Sequence, residues 1–261
     1  MRSSPPPEPL QAPVSPRILR WILIPLSWLY GLYASVIFLL IGGALLIVML
    51  ILPSRTLRRR IVRSVARSAL WLVGMPISVT GLEHVPLPSI TVANHASYLD
   101  GVVLQAVLPP HFGFVIKREM ATVPLLGTLL TRIGSQFVER NHPGRSTRDA
   151  LRVVRSAASG EALGFFPEGT FTARPGLARF HIGAFAAAVR ADLPIVPIII
   201  QGTRHCLAPE TLRPYPGRIR VRILPAIRPQ ADAADAASSL RDAARARILE
   251  HLGEPDLMDQ P

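Results

Sequence analysis

From residue 21 to residue 53 the chain carries no charged side chain, and most positions in these 33 residues are apolar. As one helix the run would extend about 50 Å, against about 30 Å of bilayer hydrocarbon. It is too long for a signal-peptide core, and no convincing cleavage site comes after it. The pattern predicts a retained membrane anchor over residues 18–53. A helix of that length has to tilt, break near Gly42-Gly43, or bend near Pro25 and dip in and out. A buried core helix of a soluble protein is the plainer alternative.

Beyond the anchor the pattern becomes amphipathic. Leu57, Ile61, Val62 and Val65 recur at helical spacing, with Arg55, Arg58, Arg59, Arg60, Arg63 and Arg67 between them. Such a segment, over 54–74, predicts a basic helix lying in an anionic lipid surface. A solvated helix face would give the same pattern. Six arginines here outweigh Arg2, Arg17 and Arg20 before the anchor. The positive-inside tendency therefore places the C-terminal part of the chain in the cytoplasm, at the cytoplasmic membrane. Residues 1–17 are rich in proline and offer little to pack, which predicts a disordered tail.

From about residue 76 short apolar runs alternate with helical stretches. Strands are predicted at 77–80, 89–93, 112–116, 136–139, 162–166, 195–200 and 218–224. Helices are predicted at 99–107, 124–133, 147–159, 183–191 and 237–252. The alternation predicts an α/β fold with a mixed, mostly parallel sheet flanked by helices, spanning residues 75–261.

Charge and cysteine usage narrow the partners. The net charge of +12 calls for an anionic partner. No zinc-finger spacing, aromatic RNA-binding motif or basic zipper is present, so nucleic acid is not the expected one. Beside a membrane anchor, anionic lipid fits better. Cys206 is the only cysteine, which excludes an intramolecular disulfide and a cysteine metal site. None of the seven histidines has metal-ligand spacing, so neither metal nor cofactor is expected.

Candidate chemistry begins at Asn94-His95-Ala96-Ser97-Tyr98-Leu99-Asp100, between a predicted strand and a predicted helix. Histidine suits proton transfer near neutral pH, and a carboxylate on its far ring nitrogen would fix its tautomer. No protein nucleophile is obvious, so the activated oxygen would belong to the substrate. Ser97 and Asp100 also fit a helix-capping pair that requires no catalysis. Four further segments lie downstream. Lys117, the only lysine, sits in Lys117-Arg118-Glu119 ahead of Pro124-Leu125-Leu126-Gly127. Arg140 ends Gly134-Ser135-Gln136-Phe137-Val138-Glu139-Arg140 and offers a planar fork suited to phosphate. Phe166-Pro167-Glu168-Gly169-Thr170 runs a strand into a turn whose backbone could meet an oxyanion. An apolar run, Pro194-Ile195-Val196-Pro197-Ile198-Ile199-Ile200, could line an acyl site or be core. Each segment alone is also explained by surface charge, a tight turn or packing.

Their order is more specific than any of them. Residues 75–225 resemble the glycerolipid acyltransferase family, the membrane enzymes that include lysophosphatidic acid acyltransferase. The resemblance implies that His95 is a general base partnered by Asp100. It also implies that Arg140, Glu168, Gly169 and Thr170 hold the acceptor, with Lys117 as a second phosphate contact. The reaction implied is transfer of a fatty acyl group from acyl-CoA or acyl-carrier protein to the free hydroxyl of a lysolipid, foremost 1-acylglycerol-3-phosphate, in phospholipid biosynthesis. No covalent acyl-enzyme is required, and Ser97 is expected to cap the helix. A backbone N–H near Gly169 is a candidate oxyanion donor. One departure stands out: phosphatidate-forming members commonly carry arginine after Glu-Gly-Thr, where this chain has Phe171, with Arg174 and Arg179 further on. Another lysophospholipid or a lyso-aminolipid is therefore an alternative acceptor. A lipid hydrolase using Ser97 and a non-enzymatic lipid-binding protein are the readings from other classes.

Overall fold

The structure, a computed structural model, describes residues 17–139, 143–171, 173–211, 213–230 and 235–258. Residues 1–16 of the expected tail lie outside it. Helices α1 (Arg17–Ile51) and α2 (Arg55–Leu72) form an antiparallel hairpin. The next strands and helices are β1 (Ile77–Thr80), β2 (Ile90–Ala93), α3 (Leu99–Val107), β3 (Phe112–Lys117), α4 (Leu126–Arg132), β4 (Gln136–Val138) and α5 (Pro143–Ala158). Then come β5 (Ala162–Phe165), α6 (Gly183–Ala191), β6 (Ile195–Gln201), the single turn α7 (Thr203–Cys206), β7 (Ile219–Ile223) and α8 (Ala236–Leu252).

One seven-stranded sheet runs β1-β7-β6-β2-β5-β3-β4. The strands β6, β2, β5, β3 and β4 are mutually parallel. Strand β7 is antiparallel to β6, and β1 is parallel to β7, so the sheet is mixed and mostly parallel as its sequence predicts. Every residue of β2 is buried, as expected of a parallel strand covered on both faces. Strand β7 instead alternates, Ile219, Val221 and Ile223 inward and Arg220 and Arg222 outward. Residues of β6 pack alternately into two cores. Val196, Ile198 and Ile200 meet α2 and α3, while Ile195 and Ile199 meet α5, α6 and α8. Each fully buried aliphatic side chain contributes about 1.5–3 kcal/mol.

The segment expected as an anchor is one helix, continuous through Pro25 and Gly42-Gly43. It lies along the domain rather than projecting from it. At one end the Tyr30 hydroxyl donates to the Val73 carbonyl and the Tyr33 hydroxyl to Leu72 O at 3.1 Å. At the other, Leu45 and Met49 pack with Val62 and Ile133. Between them Ala34 is fully buried. The opposite face, with Trp28, Leu32, Leu39, Leu40, Ile47 and Ile51, is exposed.

Helix α2 is sandwiched between α1 and the domain, with Val62, Ala66, Ala69 and Leu70 buried. Three of its arginines turn inward. Arg58 donates to Leu52 O and Arg132 O, and Arg63 to Val107 O. Arg59, 5 % exposed, donates to Ile133 O, His111 O and Glu161 Oε1 at 2.7, 3.1 and 3.1 Å. The ends of α3 and α4 leave carbonyls unpaired, and a cation is the natural group to meet them. Arg55, Arg60 and Arg67 remain on the surface.

Candidate active site

The parallel strands end along one edge of the sheet, the edge where open α/β sheets place their ligands. The loop after β2 carries His95, the loop after β5 carries Glu168, and Lys117 ends β3. Arg140, in the loop after β4, lies outside the described residues.

Asn94 fixes the start of the His95 loop. Its side chain donates to Ile200 O at 2.9 Å and accepts from Ile200 N at 2.7 Å, extending the sheet beyond the end of β2. The chain then turns into α3, whose first turn brings Asp100 back beneath it. His95 Nδ1 lies 2.8 Å from Asp100 Oδ2. The same oxygen accepts the Ala96 and Ser97 N–H groups at 2.6 and 2.8 Å. Asp100 is fully buried, while the imidazole keeps 16 % of its side-chain surface exposed. With a carboxylate on Nδ1, that nitrogen carries the proton and Nε2 is left as the basic one. Ser97 donates its hydroxyl proton to Leu207 O at 2.7 Å and accepts from Leu99 N at 3.2 Å. It therefore braces the start of α3, as expected, although the formal cap residue is Tyr98.

Glu168 ties the second loop to the first. Its Oε1 accepts the backbone N–H of His95 at 2.6 Å, and its Oε2 accepts that of Ala178 at 2.9 Å. Burial pushes this carboxyl up to about 7, against the opposing pull of the two N–H bonds. Asp100 nearby adds to the rise and Arg204 offsets part of it. The resemblance implies a place for Glu168 against the acceptor; the structure places it against the backbone of the base.

The remaining predicted residues are less convergent. Gly169 turns the chain with φ +78°, which favours glycine, and its N–H donates to Phe166 O at 3.1 Å. That N–H is engaged within the turn, so the expected oxyanion donor is not this one. Thr170 is exposed beside it. Lys117 is half-exposed and pairs with Glu119 at 3.1 Å. Its strand lies two places from β2, roughly 10 Å across the sheet.

Two aromatic neighbours of His95 are not foreseeable from the sequence pattern. Phe166 stacks on the imidazole with centroids 4.2 Å apart and planes at 18°. Phe171 meets it edge-on at 4.4 Å, and Tyr98 in turn packs against Phe171 at 4.8 Å. Position 171 reads in the sequence as a missing cation; in space it is an apolar wall beside the base. Only its nearness to Gly169-Thr170 could have signalled this.

Among the described residues no three His, Cys, Asp or Glu side chains gather closely enough to share an ion. The arrangement can take a proton at Nε2, hold the resulting imidazolium against Asp100, and shield it with aromatic rings. Comparison with known proteins converges on such chemistry. A protein-family model described as Acyltransferase matches residues 76–201. The chain is 35% identical over 161 residues to a 1-acyl-sn-glycerol-3-phosphate acyltransferase of Limnanthes alba, and the match spans 60% of this chain and 57% of that protein. It is 30% identical to a protein of the same name from Pseudomonas aeruginosa, over 78% of this chain and 81% of the other. The crystal structure of the 1-acyl-sn-glycerophosphate (LPA) acyltransferase of Thermotoga maritima shares the fold, with a TM-score of 0.72 and 20% identity over 88% of this chain and 95% of that one.

Proposed function

This chain belongs to the acyltransferase family, and from that premise we propose that it moves a fatty acyl group from an acyl thioester to the free hydroxyl of a lysoglycerolipid. The observation that carries the reading is the His95–Asp100 pair, with Nδ1 engaged and Nε2 available. Nε2 takes the proton of the acceptor hydroxyl as its oxygen attacks the thioester carbonyl. The tetrahedral intermediate collapses, the carbon–sulfur bond breaks, and the thiolate leaves. The imidazolium returns its proton to that sulfur. Asp100 holds the charged ring during the interval. The thioester is acyl-CoA or acyl-carrier protein, and neither metal nor cofactor enters the reaction.

The acceptor proposed first is 1-acylglycerol-3-phosphate, giving phosphatidic acid in phospholipid biosynthesis. It is the acceptor that the names of the relatives carry. In this proposal Arg140, Gly169 and Thr170 receive the phosphate end, with Lys117 at the margin. Phe171 beside His95 favours a second acceptor class, a lysophospholipid with a larger head group.

The lysolipid acceptor resides in a membrane, and α1 supplies the means of reaching it. Its exposed apolar face runs from Ile24 to Ile51, while the other face is packed on α2 and the domain. A helix held flat against a polar domain seats in the headgroup and acyl boundary rather than crossing the bilayer alone. Arg55, Arg60 and Arg67 add attraction to anionic lipids.

The reading is tested with purified protein, labelled acyl-CoA, and 1-acylglycerol-3-phosphate beside a panel of other lysolipids. Transfer to the phosphate acceptor supports the first proposal. Transfer only to another lysolipid supports the second. If no lysolipid is acylated from either thioester, the reading fails.

A further inference from the structure

The segment after α8, residues 253–258, does not end at the helix. It returns to the loop after Thr170 and binds it at several points. Leu177 N donates to Pro255 O at 3.0 Å, and Leu257 N donates to Leu177 O at 3.1 Å. Glu254 Oε2 accepts the Gly176 N–H at 2.7 Å and an Arg204 guanidinium hydrogen at 3.2 Å. Arg204 also donates to Ala173 O at 3.2 Å. On the other side Arg245 of α8 donates to Ala178 O at 3.0 Å and Leu177 O at 2.8 Å, and pairs with Asp256 at 2.9 Å. Gly176 sits at φ +139°, and a Cβ there would come within 2.5 Å of the Leu257 side chain. The loop and the returning segment are thus built against each other.

The contacts continue inward. Ala178, fixed by Arg245 through its carbonyl, gives its N–H to Glu168, and Glu168 takes the N–H of His95. We infer that residues 253–258, through Glu254 and Asp256, clasp the 173–178 loop and so position Glu168, the acceptor turn Gly169-Thr170, and the His95 loop behind them. Glu254 and Asp256 are positioning residues, since they act through Arg204, Arg245 and backbone amides. The inference rests on the proposed acyl transfer for its kinetic consequence but not for its structural one.

Two carboxylates are used where one strand pairing would hold the segment in place. Hydrogen bonds with one charged partner, such as Glu254 to the Gly176 N–H and Arg245 to the Leu177 and Ala178 carbonyls, are directional and about twice as strong as neutral ones. They fix the angle of the loop, which simple burial of Leu177 would not. A loop held at a set angle loses less entropy when the acceptor binds.

The test uses the full chain and Glu254→Ala, with Glu254→Gln as the variant that keeps an acceptor for Gly176. Acceptor KM is expected to rise about tenfold in Glu254→Ala, with donor KM and Tm near those of the parent. Glu254→Gln is expected to recover most of the loss. Amide exchange at Ala178 and His95 is expected to quicken in Glu254→Ala. A lowered Tm with unchanged acceptor KM would mean that the segment only stabilises the fold, and overturns the inference. So does unchanged exchange at His95. Absence of acyl transfer by the parent would count against the proposed function alone, while the exchange measurement still decides the clasp.

Discussion

Asp100 Oδ2 holds His95 Nδ1 at 2.8 Å while the same atom accepts the N–H of Ser97. The second bond resembles the return half of a capping pair, an acid in the first turn reaching back to the turn that precedes the helix. Capping and orientation of the base are thus one arrangement. The helix start places the carboxylate, and the carboxylate sets the ring. Replacing Asp100 by Asn puts an amide where two N–H donors and an imidazole need one ionised oxygen. The expected loss is about 10²–10⁴-fold in kcat, with acceptor KM little changed. Steady-state kinetics of Asp100→Asn check this.

Arg59 joins the α1–α2 hairpin to the domain. It is buried, bonded to three elements, and paired with Glu161 at 3.1 Å. Burial lowers its pKa, and Glu161 opposes that. Arg59→Met leaves the carbonyls of His111, Ile133 and Gly134 without their donor and Glu161 Oε1 without its cation. The expected cost is about 3 kcal/mol, read as lowered stability in detergent. A change at surface Arg60 should cost under about 0.5 kcal/mol.

Glu168 makes stability depend on pH. Its folded pKa of about 7 lies above the ordinary 4.5, so the folded state holds the proton more tightly. The contribution is fully present below about pH 4.5 and is lost as pH rises through about 7, a change of about 3 kcal/mol. Glu168→Gln, uncharged throughout, should flatten this fall. Thermal melts of both proteins between pH 4.5 and 8 make the comparison.

Phe171 should govern the acceptor. Phe171→Arg places a guanidinium fork beside the base in place of an apolar edge. The expected result is about a tenfold gain in kcat/KM for 1-acylglycerol-3-phosphate relative to a zwitterionic lysophospholipid. Competition between the two acceptors reads it directly.

Local pattern made much of this fold legible. Helices α3 and α6 match their predicted bounds, and each predicted strand is present within a residue or two, because apolar period and turn residues are local signals. The His95–Asp100 pair was legible for the same reason, five positions apart across one turn. The features that stayed hidden depend on long-range contact. The inward turn of Arg58, Arg59 and Arg63 arises from carbonyls of α3 and α4 that lie far off in sequence. The role of Glu168 as a post for the His95 backbone requires two loops to meet over 73 positions. The stacking of Phe166 and the wall formed by Phe171 arise the same way.

The most direct test of the account compares labelled acyl transfer to a lysolipid by the parent protein, His95→Ala and Ser97→Ala. The Ser97 hydroxyl is occupied by Leu207 O and Leu99 N, so its loss should lower stability by about 1–3 kcal/mol and leave transfer within a few-fold. His95→Ala should abolish transfer, and no label should remain on the protein at any time. Transfer that survives without His95, or label retained on Ser97, would contradict a base acting on the substrate hydroxyl.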